Sequence, residues 1–108
     1  MKPYVKKLLN AVTVTGAGTA DFVDRGVKTF QVYGITSSGS GSATIKMQGS
    51  NDEVSWDDLD TGMVVTLATT VATGIGDGYT SDDRYAFVRA NVTAISGTGA
   101  AVTATVSY

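Results

Sequence analysis

The sequence predicts an all-β chain folded as an antiparallel β-sandwich. Three observations lead there. Apolar and polar residues alternate with a period of two at Ala43–Met47, Met63–Leu67 and Ala100–Tyr108, the signature of strands with one buried face. Thirteen Gly against one Pro supply tight turns between such runs. No window holds apolar residues at helical spacing for long enough to form a helix of three turns.

In chain order, Leu8 to Thr15 reads as a strand with Leu8, Asn10, Val12 and Val14 on one side. Gly16-Ala17-Gly18 breaks it, and Ala20 to Val23 is a short edge strand. Val27 to Ile35 is apolar on both faces in places, which suits a strand covered on both sides or one carrying a bulge. Ser37 to Ser42 reads as a flexible Ser/Gly loop. The next strand turns Ala43, Ile45 and Met47 inward and Thr44, Lys46 and Gln48 outward. Gly49-Ser50-Asn51-Asp52 is a turn, and Val54 to Leu59 is a second short edge strand. Met63, Val65 and Leu67 form another inward set, and Gly74 to Gly78 is a turn. Tyr85 to Ile95 repeats the two-sided apolar pattern of Val27 to Ile35. Ser96-Gly97-Thr98-Gly99 should close a hairpin into the last strand, whose faces are Ala100, Val102, Ala104, Val106 and Tyr108 against Ala101, Thr103, Thr105 and Ser107. Short strands every 8–12 residues or so belong to a sandwich or barrel. The expected core joins Ile45, Met47, Val65, Leu67, Phe87 or Val88, Val102 and Val106.

A chain of 108 residues makes one domain. Hydrophobic residues are 43% and charged residues 17%, a composition that buries a core rather than staying disordered. Val and Ala dominate that core, so it is thin, and partners are expected to supply part of the stability. The net charge of −2 gives no global basic field for nucleic acid. No apolar run approaches the roughly 20 residues of a membrane-spanning helix. The basic start from Met1 to Lys7 is followed by Leu8-Leu9-Asn10-Ala11-Val12, too broken to read as a signal peptide. The absence of Cys favours a reducing compartment. Pro3 disfavours a ladder, so residues 1–7 are expected to form an arm outside a single domain of residues 8–108.

With no His and no Cys, the commonest general base and the usual zinc ligands are missing, and no enzyme, metal or cofactor is expected. A paired-carboxylate glycosidase would need a deeper cleft than a chain this short provides. Gly16-Ala17-Gly18-Thr19-Ala20 has the glycine spacing of a dinucleotide loop, but no helical run follows it, and a β-turn is the better reading. Asp52, Glu53, Asp57, Asp58 and Asp60 cluster, as do Asp77, Asp82 and Asp83; solvated acidic loops are preferred over a calcium site. Asn91-Val92-Thr93 matches a glycosylation acceptor that should stay bare. Trp56, Tyr79 and Tyr85 lie on or beside loops, where aromatics stack on sugars, anchor protein interfaces or plug one end of a sandwich. Arg84 and Arg89 sit in an otherwise apolar run. Arg89 shares a face with Tyr85 and Phe87, and serves either an ion pair with a loop Asp or an interface.

The run Ser42-Ala43-Thr44-Ile45-Lys46-Met47-Gln48-Gly49-Ser50-Asn51-Asp52-Glu53-Val54-Ser55-Trp56-Asp57-Asp58-Leu59 has a distinctive cadence. A strand ends in Gln-Gly-Ser-Asn-Asp, and Ser-Trp then leads into a short strand. Arg84 to Val92, Ser96 to Gly99 and a last alternating strand follow. From Ser42 onward the chain resembles the small β-sandwich structural proteins of tailed bacteriophages, including capsid decoration (cement) proteins. Phage fibre and tail modules and some carbohydrate-binding sandwiches share the cadence. The resemblance implies a jelly-roll-like domain on the head shell, made in the host cytoplasm, with no catalytic residues. Its partners would be the major capsid protein and neighbouring copies of itself, with neither nucleic acid nor membrane. The expected contact residues are Lys2, Tyr4, Lys6 and Lys7 on the arm, with Trp56, Tyr79 and Arg84. In the carbohydrate alternative, Trp56, Tyr79 and Tyr85 line one surface.

Overall fold

The computed structural model describes residues 5–22, 27–70, 77–81 and 85–108. Two antiparallel sheets pack face to face, a β-sandwich without helix among the described residues. The first sheet runs β1 (Val5–Val12), β10 (Ala101–Ser107), β4 (Lys28–Ile35), β8 (Asp77–Ser81). The second runs β2 (Gly16–Ala17), β9 (Phe87–Thr98), β5 (Ser38–Ser50), β6 (Asp57–Asp58). On this second sheet β3 (Asp21–Phe22) also pairs with β9, and β7 (Met63–Leu67) with β5. The molecule measures 39 × 32 × 20 Å, and its thin dimension is that of two sheets about 10 Å apart with their outer side chains.

The alternation seen in the sequence decides what lies between the sheets. Ile45, Met47, Val65, Leu67, Val88, Val102 and Val106 are all buried in one cluster with Phe30, Val32, Leu8 and Leu9. Of the pair Phe87 and Val88, Val88 faces the core, and Phe87 is half-buried with its ring edge-to-face on Phe22 at 5.5 Å. In β9 the pairing with β5 slips between Thr44 and Ile45, so a bulge explains its two-sided apolar pattern. In β4 the alternation is clean, with Phe30, Val32 and Gly34 inward and Ile35 exposed, so this strand is covered on one face only. The buried residue at its start is Lys28, 1% exposed, a charge whose place within the fold the sequence does not reveal.

Other expectations are corrected. β1 starts at Val5: Val5, Lys6 and Lys7 pair with Ser107, Val106 and Thr105. The arm therefore does not extend to residue 7, and cutting there would remove three rungs of a ladder. Met1 to Tyr4 lie outside the described residues. The face of Leu8, Asn10, Val12 and Val14 does not hold either. Register shifts on both sides of Leu9 bury Leu8 and Leu9 together and leave Asn10 and Val14 exposed. Ala11 takes up the irregularity with a φ of 52°. The Ser37–Ser42 segment is mostly strand, because β5 begins at Ser38. Ser96 to Gly99 is no hairpin connection, because β9 and β10 belong to different sheets. Gly97 and Gly99, with φ of 120° and 62°, turn the chain from one sheet to the other.

Candidate binding surface

The outer face of the second sheet carries a row of planar polar side chains placed by strand register. Gln48 on β5 stands opposite Asp58 on β6 and opposite Arg89 on β9. Arg89 Nε donates to Gln48 Oε1 at 2.8 Å, and Gln48 Nε2 donates to Asp58 Oδ1 at 2.9 Å. Lys46, two residues along β5, donates from Nζ to Asp58 Oδ2 at 3.2 Å. Asn91 is the β9 partner of Lys46. Trp56, half-buried, lies beneath the Arg89 guanidinium, whose central carbon is 4.2 Å from the ring centroid. This is cation–π geometry, and it fixes the plane of the guanidinium.

The acids expected to form one cluster are turned to separate partners. Asp52 Oδ1 accepts from the Val54 and Ser55 amides at 2.9 and 3.0 Å, closing the turn after β5. Buried Ser50 donates to the same oxygen and accepts from the Asp52 and Glu53 amides. Glu53 takes a left-handed φ of 60° there. Asp57 accepts from the Tyr85 hydroxyl at 2.7 Å, and Asp60 from the Met47 amide at 3.1 Å. Among the described residues no three acids, His or Cys gather as a metal site. Asp82 and Asp83 lie outside the described residues.

These hydrogen bonds set a pH dependence. Amide donors from Ser55 and Val54, then Ser50, hold the Asp52 carboxyl below its ordinary 3.8. Gln48, then Lys46, does the same for Asp58. A lowered folded pKa contributes stability that is complete above the unfolded value and is lost as pH falls through the folded one. The melting temperature should therefore decline as pH falls below 3.8, the ordinary value for these groups. Thermal melts from neutral pH downward check this. Asp52→Asn and Asp58→Asn together should flatten the acid limb; an unchanged limb assigns it to other groups.

The described residues among those expected to make contacts lie on both sheets. Lys6 is on β1, where Tyr108 and then the charge of Asp21, 3.6 Å away, hold its ammonium above the usual range. Lys7 is exposed on the same strand. Tyr79 belongs to β8, at the opposite edge of that sheet. Trp56 lies just before β6 on the second sheet, whereas Tyr79 is on the first. Tyr85 precedes β9 and lies against Gly49, leaving Arg89 to pair with Trp56. Lys2, Tyr4 and Arg84 lie outside the described residues. A shallow depression of about 400 Å³ on the first sheet is lined by Val5, Thr29, Phe30, Gln31, Gly78, Thr105 and Ser107. No family model, curated protein or solved structure matches this chain.

The sequence marked Trp56 but did not bring Gln48, Asp58 and Arg89 to it. The outward parity of Lys46 and Gln48 was readable; the register that sets β6 and β9 on either side of β5 was not.

Proposed function

We propose that this chain is a virion structural protein, a capsid decoration (cement) protein that binds and stabilises the head shell of a tailed bacteriophage. The observation that carries the reading is the state of the sheet edges. Val5 on β1, Phe22 on β3 and Val64 on β7 are each more than 60% exposed, and each lies on an edge strand; β1 also carries Lys6 and Lys7, and β3 carries Asp21, whereas β7 carries no charge. β7 is the plainest case: Met63-Val64-Val65-Thr66-Leu67 has no charge and no Pro. Free-standing sheets usually block such edges. An uncharged edge suits a protein that is held against neighbours in an assembly. A sandwich of this kind attaches by buried area and strand pairing, and many modest contacts repeated over a lattice stabilise the whole. The cadence from Ser42 onward, which resembles the small β-sandwich structural proteins of tailed bacteriophages, points the same way.

The test uses expanded, undecorated shells assembled from the major capsid protein of a tailed bacteriophage. The full-length protein should bind them saturably and raise their melting temperature. Val64→Lys places a charge on an exposed edge position and should weaken binding while leaving the free domain's melting temperature within a few degrees. Shells that bind no protein, or that gain no stability, would overturn the reading.

A further inference from the structure

Arg89 makes no ion pair with a described residue, although it is held in place on both sides. Lys46 is neutralised by Asp58, and Lys6 is paired with Asp21. Among the described residues no carboxylate lies within ion-pair distance of Arg89, so the loop-Asp alternative fails for them. Its Nε–H is spent on Gln48, and its plane is held by Trp56. The four N–H groups on its Nη atoms make no hydrogen bond to the described residues. A guanidinium fixed in this way has little entropy left to lose on binding and presents the fork that fits a carboxylate.

Its neighbours define the rest of the ligand. Asp58 retains acceptor capacity and a side chain 43% exposed. Gln48, Lys46 and Asn91 add amide and ammonium groups along the same face. Asp58, Gln48 and Arg89 sit on three adjacent strands, so the row spans about 10 Å, two strand spacings. Sugar hydroxyls both donate and accept, which matches a row mixing carboxylate, amide and cation. An acidic peptide offers the carboxylate but not the hydroxyls that a row of amides and a carboxylate can pair with. β5 and β9 are interior strands at this row, and its edge strand, β6, is only two residues long and carries Asp57 and Asp58, charges that oppose strand addition.

We propose that Trp56, Arg89, Gln48, Asp58 and Lys46 form a binding site for acidic saccharides, with Arg89 gripping a uronic acid carboxylate and the row reading the hydroxyls. The site goes beyond shell attachment and does not depend on it. It also gives the carbohydrate alternative a site that keeps Trp56 and needs neither Tyr79 nor Tyr85.

Trp56 is the sole Trp, so its fluorescence reports this site directly. Titrating the full-length protein with trigalacturonate should give a saturable change, with maltotriose and hexaglutamate each binding at least about tenfold more weakly. Arg89→Lys keeps the charge but loses the fork, and should weaken trigalacturonate by about tenfold or more. Gln48→Glu places a carboxylate against Arg89 and should abolish binding; it guards against an Arg89 variant that fails to fold. Circular dichroism melts confirm that each variant is native. No response to trigalacturonate would overturn the proposal, as would equal binding of maltotriose. Equal binding of hexaglutamate would overturn it too, making the site one for acidic peptides. Because no shell is present, none of these outcomes bears on the attachment reading.

Discussion

Replacing Ile45 by Ala should cost the domain about 2–5 kcal/mol, a large part of the roughly 5–15 kcal/mol that holds a small protein together. Ile45 is 0% exposed at the middle of β5. It stands opposite Met63 on one side and Val92 on the other, both buried. β5 is the strand on which the second sheet is built, since β6, β7 and β9 all pair with it. The cavity left by Ala therefore opens where collapse is hardest, with strands fixed on both flanks. The β5–β9 ladder slips immediately before it, between Thr44 and Ile45, and the truncated side chain would loosen the packing that keeps this bulge in place. Chemical denaturation of the variant measures the loss directly. Each kcal/mol should also lower the melting temperature by roughly 4–8 °C in a domain of this size. Thr66→Ala on the exposed face of β7 is the control, with an effect of no more than about 1 kcal/mol. An Ile45→Ala midpoint indistinguishable from that control would mean the core is not centred on β5.

The sequence was most informative where side chains answer to a single periodicity. Ala43–Met47, Met63–Leu67 and the last strand show it without interruption, and each turns its apolar set into the core. Reading failed where the backbone departs from that period. At β1 two register shifts bury the consecutive residues Leu8 and Leu9, and a period-two reading must choose one of them. The Ser/Gly run from Ser37 to Ser42 reads as a loop because its side chains offer no apolar alternation. It is strand because Gly41, packed against the Ser96 carbonyl, lets β5 approach β9. Ser96 to Gly99 carried every sign of a hairpin, but local turn chemistry cannot say whether the chain returns to the same sheet. The candidate site shows the same limit. Trp56 and the outward parity of Gln48 are local facts, whereas the meeting of Trp56, Gln48 and Arg89 depends on pairing between strands about forty residues apart in sequence.

Gly34→Ala should destabilise the domain by about 1–3 kcal/mol or more, although the same exchange at an open extended position stabilises by about 0.4–1 kcal/mol through the unfolded chain. The sign is therefore the result. Gly34 is buried on the inner face of β4, opposite Val102 of β10. A Cβ there would stand 2.5 Å from the Ala101 carbonyl oxygen and 2.8 Å from a methyl of Leu67, and the Val102 Cα follows at 3.3 Å. Two of these neighbours are backbone, and Leu67 is itself fully buried, so none can swing aside as a flexible side chain would. The crowding has a topological cause. The end of β7 leaves the second sheet here and meets the edge of β4, where the Thr36 amide donates to the Ala68 carbonyl at 2.9 Å and Ile35 bridges Ala68. The missing side chain at position 34 is what lets the two sheets touch at this corner. An added methyl must push β7 away or displace β10, and Gly34→Val should do so more severely. Gly78→Ala provides the contrast within the same sheet, because its Cβ would meet only the Phe30 carbonyl oxygen at an ordinary 3.5 Å. That variant should be neutral or slightly stabilised. Denaturant melts of the three variants beside the parent decide the matter. If Gly34→Ala is as stable as Gly78→Ala, β7 does not close against β4, and the corner joining the two sheets is more open than the packing of Leu67 requires.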